Sequence, residues 1–123
     1  PAPTPAATPA AAAPPAAAAE PAALGREQLM AEGRNVHMTH CAACHQADGS
    51  GLPAAGFPAL KNLQVSLEEH IQTTVHGRTG TAMAAFGQQL SNEELAAVVT
   101  YQRNAFGNDT GETAQPGDIA AAR

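Results

Sequence analysis

Tryptophan is absent from this chain of 123 residues, and three Phe and one Tyr are its whole aromatic complement. So little aromatic volume leaves a small domain with a marginal core unless some large apolar body is added to it. Basic residues are scarce too. Six Lys and Arg against eleven Asp and Glu give a formal net charge of −5, and without a basic patch nucleic acid is excluded as a partner. No apolar run is long enough to span a bilayer, so any membrane attachment has to come through an upstream segment. The chain opens neither with Met nor with the charged and apolar regions of a secretory leader, and it reads as a mature segment or a fragment. No stretch alternates as a half-buried strand does, which makes the expected fold class all-α. Cysteine occurs only at Cys41 and Cys44.

What is present divides the chain in three. Residues 1–23 are almost entirely Ala, Pro and Thr, and proline keeps interrupting what would otherwise be an alanine helix. They read as a flexible linker, a spacer to something upstream. A domain is expected over 24–107, with a C-terminal tail over 108–123. The first helix is predicted over Arg26–His40, with Leu29, Met30, Gly33, Val36 and His37 on one side. The stretch Gln46–Ala59 holds Gly49, Gly51, Pro53, Gly56 and Pro58, lacks periodicity and reads as a loop. Ser66 and Glu69 form a capping box for a helix carrying Leu67, Ile71 and Val75, with Gly77 as its C-cap. Ser91 and Glu94 open the last helix. Its apolar face is Leu95, Val98, Val99, the stem of Gln102 and Phe106, and Gly107 stops it.

The first helix runs into Cys41-Ala42-Ala43-Cys44-His45, the pattern C-x-x-C-H. Two thiols at this spacing reach the two vinyl groups on one edge of a porphyrin and form thioethers, and the following His is held where its ring nitrogen meets the iron. Two other chemistries use paired cysteines. A structural zinc site needs a second Cys/His pair at ligand spacing, and none follows. A thioredoxin-type redox pair needs a βαβ context, which this chain lacks. The reading that remains is one covalent haem c on Cys41 and Cys44 with His45 as an axial ligand. Such a group would also supply the apolar body that the composition wants. Attachment of this kind points to the periplasmic side of a bacterial inner membrane.

The iron needs a partner opposite His45. Met83, in Gly80-Thr81-Ala82-Met83-Ala84-Ala85-Phe86-Gly87, lies between two predicted helices, where the backbone is free to lay a thioether over the ring. His76, near the end of the middle helix, is its rival. His37, His40 and His70 read as packing or solvated residues, Met30 as core, and Met38 as haem edge or surface. Met/His ligation raises the reduction potential above that of two imidazoles. The carbonyl of Pro58 is the expected acceptor for the other ring N–H of His45. Arg78 is the candidate contact for a haem propionate, with a solvated loop arginine as the alternative.

Across residues 26–106 this order of parts resembles class I cytochromes c: a first helix ending in C-x-x-C-H, a Pro-containing loop, a distal Met and a C-terminal helix. In that family a Gly and an aromatic on the first helix cross an apolar residue and a Tyr on the last. The corresponding positions here are Gly33, Val98 and Tyr101, with His37 in the aromatic slot, and Ala84 stands where Pro often follows the distal Met. The segments GTAMAAFGQQLS, AAVVTYQRNAFGNDTG and QPGDI are similar, more narrowly, to the cytochrome c domain fused to subunit II of bacterial caa-type haem–copper oxidases. That resemblance implies a membrane-anchored chain, and electron transfer from a donor cytochrome c or quinol–cytochrome c reductase to the dinuclear copper centre in a copper-containing domain of the same oxidase subunit. It leaves two alternatives, the haem domain of another periplasmic oxidoreductase or a free periplasmic carrier. The domain on its own would carry electrons and catalyse nothing.

Overall fold

The computed structural model describes residues 23–123; the Ala/Pro linker, Ala23 apart, lies outside the described residues. Five α-helices follow one another: α1 (Arg26–Val36), α2 (Ala42–His45), α3 (Leu67–His76), α4 (Asn92–Asn104) and α5 (Pro116–Ala122). Among the described residues there is no strand, only an isolated antiparallel bridge between Leu52 and Phe57. The fold is all-α, and no described helix is long and apolar enough to cross a membrane.

The centre of the molecule is α4. Leu95 to Thr100 are all buried, as are Gln102 and Arg103, because α1, α3 and α5 all pack against this helix. A helix covered on several sides has no single apolar stripe, which is why its buried set is wider than the face read from sequence. On α1 the buried residues are Leu29, Gly33 and Val36, one face at helical spacing. Gly33 sets how closely the two helices approach. A Cβ there would stand 2.0 Å from the Ala97 carbonyl oxygen and 2.6 Å from the Tyr101 Cβ. The expected partners were Val98 and Tyr101. The atoms nearest Gly33 belong to Ala97 and Tyr101, which are four apart and so share a face of α4, and the small Ala97 lets the backbones meet. His37, fully buried, fills the aromatic slot with its ring centroid 5.8 Å from Tyr101 and 4.9 Å from Phe106.

The stretch predicted as a first helix to His40 is helical throughout but changes winding after Val36. His37–Cys41 form a π-helical turn, closed by the Ala42 N–H on the His37 carbonyl, before α2 begins. An inserted turn of this kind carries no periodicity signal and is frequent beside functional sites. Of the two capping boxes, Ser91/Glu94 closes both ways, at 3.1 and 3.0 Å. Ser66 accepts the Glu69 N–H at 3.1 Å. Gly77 ends α3 with φ +72°. The last helix stops at Asn104, before the predicted Phe106, and Phe106 and Gly107 reverse the chain with φ +60° and +86°.

The segment expected as a tail, 108–123, lies on the core. Ala114 and Ile119 are fully buried, as is Pro116. Thr100 Oγ1 accepts the Ala114 N–H at 2.9 Å, Arg103 pairs with Glu112 at 2.6 Å, and Gln115 bonds Leu24 through both side-chain atoms at 2.8 and 3.1 Å. The signal for α5 is short: Pro116 at the first helical position, with Asp118 accepting the Gln115 N–H at 2.8 Å.

Two predictions follow from this packing. Gly33→Ala should cost about 3 kcal/mol or prevent folding, because the facing atoms are backbone and cannot turn away; urea denaturation of the holoprotein checks it. The second concerns acid. Burial, with the Arg103 charge adding to it, holds the His70 imidazole down at about 4, and His37 is lowered by burial as well. The unfolded chain therefore binds protons first as the pH falls. Stability should be full above about pH 6.5 and decline down to about pH 4, by on the order of 3 kcal/mol from His70 alone. Urea midpoints measured between pH 7.5 and 4 should show that slope, and His70→Gln should reduce it.

Candidate functional site

The pentapeptide begins in the π-helical turn and ends α2. Cys41 is buried and Cys44 half-buried. Burial pushes the Cys41 thiol up to about 11, and the neighbouring Cys44 adds to this, while a Gln102 hydrogen bond opposes it. Redox-active C-x-x-C pairs need the reverse, a stabilised thiolate. Among the described residues no group of three or more His, Cys, Asp or Glu could hold a metal ion. The raised Cys41 thiol is unlike the nucleophile of a thioredoxin-type pair.

His45 is held at both ends. Its Nδ1–H donates to the Pro58 carbonyl oxygen at 2.8 Å, and its own carbonyl accepts the Gly51 N–H at 2.8 Å. A carbonyl only accepts, so Nδ1 carries a proton, and in the neutral ring Nε2 then keeps its lone pair. This is the tautomer a metal-ligating imidazole needs.

The loop that delivers Pro58 is tight. Leu52 and Phe57 exchange N–H···O bonds of 2.8 and 3.1 Å across the turn Pro53–Ala55, and the Leu60 N–H reaches the Gly49 carbonyl at 2.7 Å. Gly51 is the close approach: with φ +67°, a Cβ there would meet the Phe57 carbonyl oxygen at 2.6 Å and the Pro58 oxygen at 2.7 Å. Sequence reading singled out Pro58 and left Gly51 as one loop glycine among several. Only the packing shows that its missing side chain is what lets the Pro58 carbonyl in.

Met83 is half-buried on the loop after α3. The Arg78 N–H donates to its carbonyl at 3.2 Å, and Thr81 Oγ1 accepts its N–H at 3.2 Å while donating to the Arg78 carbonyl at 2.8 Å. Gly77 presses on the same carbonyl, since a Cβ there would be 2.7 Å from the Met83 oxygen. The Met83 backbone is thus pinned to the end of α3. The His40 and Phe86 rings meet edge-on at 6.3 Å, which joins this loop to the residue just before Cys41. His76 is turned elsewhere: its Nε2 is 2.7 Å from the Ala122 carbonyl at the end of α5. Arg78 is exposed, and His70 is buried. Met38 and Leu52 are the large apolar side chains left exposed, at 39% and 47%.

The donor set fits a covalently attached haem. Two thiols stand one helical turn apart, the adjacent imidazole has Nδ1 engaged by Pro58 with Nε2 left without a partner among the described residues, and a thioether lies on a loop anchored at its backbone. Comparison with known proteins points the same way. Residues 28–101 match the family described as "Cytochrome C oxidase, cbb3-type, subunit III". The chain is 34% identical over 104 residues to the gluconate 2-dehydrogenase cytochrome c subunit of Pantoea cypripedii, covering 74% of this chain and 24% of that protein. It is 32% identical to the cytochrome c subunit of a quinone alcohol dehydrogenase from Gluconobacter oxydans, over 74% of this chain and 22% of that subunit. With the cbb3-type cytochrome c oxidase subunit FixP of Azorhizobium caulinodans it shares 36% identity, over 76% of this chain and 33% of that one. The chain thus spans between a fifth and a third of the length of these relatives.

Gly51→Ala should push the Phe57–Pro58 backbone away from His45 and destabilise the protein by about 2 kcal/mol through strain at positive φ and overpacking. The His45 Nδ1–H resonance should move upfield as its hydrogen bond lengthens, which proton NMR of the variant measures.

Proposed function

We propose that this chain, which belongs to the cytochrome c family and therefore carries a covalently bound haem c in a class I cytochrome c fold, is the electron relay of a larger respiratory complex on the periplasmic side of a bacterial inner membrane. The haem iron, when bound, supplies a one-electron couple and no bond-making chemistry. Cys41 and Cys44 would hold the group by thioethers, and His45 and Met83 would supply the nitrogen and the sulfur that ligate its iron. Arg78, free of ion pairs among the described residues, pairs with a propionate. The observation that carries the reading is the Nδ1–H bond of His45 to Pro58, 2.8 Å long. It would hold the imidazole in one orientation, so that the surroundings of a bound iron would change little with its charge. Met83, its backbone pinned, would offer a soft sulfur that favours the ferrous state.

The finer reading concerns the acceptor. The packed segment 108–123, with its similarity to caa-type subunit II, supports an electron path from a donor cytochrome c or quinol–cytochrome c reductase to the copper-containing domain of the same oxidase subunit. Residues 1–23 would then be the tether that raises the local concentration of this domain at the copper centre, into the millimolar range when length matches span. The net charge of −5 favours docking to a basic face, with strong salt dependence. The alternative, a haem domain serving another periplasmic oxidoreductase, is supported by the dehydrogenase subunits among the relatives. Copper-ligand residues and two membrane spans upstream in the parent gene would decide for the oxidase.

Met83→Ala tests the centre itself. The variant should lose the far-red sulfur-to-iron band of the oxidised protein, fall in reduction potential, and bind carbon monoxide in the ferrous form. Unchanged carbon monoxide affinity would exclude Met83 as the ligand.

A further inference from the structure

Two buried histidines outside the attachment motif, His37 and His70, are joined through Gln102 into one directed chain of hydrogen bonds. It starts at Arg103, whose side chain is 5% exposed and is anchored by Glu112 at 2.6 Å and by the Val65 carbonyl at 3.1 Å. A guanidinium only donates, so Nη1 of Arg103, 3.3 Å from His70 Nδ1, makes that nitrogen an acceptor. The His70 proton is then on Nε2, which donates to Gln102 Oε1 at 2.9 Å. The Gln102 amide donates in turn to His37 Nδ1 at 3.1 Å. The His37 proton is left on Nε2, 2.9 Å from the Gln46 carbonyl oxygen, which only accepts. A donor-only group at one end and an acceptor-only group at the other fix every bond between them. Each imidazole is neutral, in a single tautomer, and burial of both rings favours the same state.

The far end of this chain is a strained corner. Gln46 directly follows His45 and has φ +69° and ψ 157°, a strained region that residues with a Cβ avoid. Its N–H is held by the Ala42 carbonyl at 2.8 Å, and its carbonyl accepts the Gly49 N–H at 3.1 Å as well as the His37 ring. That corner sets the direction in which the loop leaves His45, and the same loop returns with Gly51 and Pro58 to grip His45 at both ends. We propose that His37 is a positioning residue for the axial imidazole: its Nε2–H clamps the Gln46 corner and so aims the Pro58 carbonyl at His45 Nδ1, with Arg103, His70 and Gln102 dictating the tautomer that makes the clamp. The inference rests on the assignment of His45 as an iron ligand.

The test uses the oxidised holoprotein. Long-range proton–nitrogen NMR of the wild type should find His37 and His70 neutral at pH 7, each protonated on Nε2. Haem-methyl hyperfine shifts, which report the orientation of the axial imidazole plane, should change in His37→Phe, which keeps the ring packing and removes the donor. They should return toward wild type in His37→Gln, which keeps an N–H at the same place. A folded His37→Phe protein with wild-type methyl shifts overturns the proposal. So does a His37 protonated on Nδ1 or charged at pH 7, whatever the variants do. A wild-type spectrum without hyperfine-shifted His45 ring protons overturns the ligand assignment instead, and the inference with it.

Discussion

The backbone contact between Gly33 and Ala97 brings α1 close enough to α4 for everything else to assemble. A helix pair that meets at the backbone excludes side chains from its crossing and fixes the relative position of both helices to within a fraction of an ångström. From that crossing α1 carries His37 and Cys41 inward, while α4 offers Tyr101, Gln102 and Arg103 on the facing turns. The attachment peptide is the continuation of α1, so its place in the molecule is inherited from a glycine eight residues before the first cysteine. The same α4 holds Ala114 through Thr100, and it binds Glu112 through Arg103. A chain poor in aromatics thereby obtains a core from small residues packed closely around one buried helix.

Electron transfer requires an iron whose surroundings do not rearrange when its charge changes. The protein meets this by immobilising backbone. His45 is gripped at its carbonyl and at Nδ1, Met83 at its carbonyl and N–H, and the loops that do so turn on Gly51 and Gly77, where a Cβ would collide with the very carbonyls being positioned. The buried polar chain from Glu112 to Gln46 extends this rigidity across the domain. No buried side-chain nitrogen or oxygen is left without a partner among the described residues, so the network is complete; a half-satisfied one would be costly at such burial.

The relatives place such a domain in more than one setting. Named as cytochrome subunits of dehydrogenases and of a cbb3-type oxidase, they share a module that occupies a minor part of their length. The physical reason for such reuse is that an electron carrier makes few demands on its partner beyond proximity and orientation, so recognition can be left to neighbouring domains and tethers.

Much of this was legible in the chain itself. C-x-x-C-H, the helices opened by Ser66 and Ser91, the Met in a loop and the shortage of aromatics all act through local chemistry or composition, and these identified an all-α domain with one attached haem. The identity of the acceptor for His45 was readable too, because proline withdraws its carbonyl from helix formation. What only the folded structure decided depends on residues distant in sequence: the π-helical turn at His37, the close approach of Ala97 to Gly33, the docking of 108–123, and the tautomers of His37 and His70. Each is set by what faces it across the core, and a hydrogen-bond direction is defined only once both ends of the chain that carries it are in place.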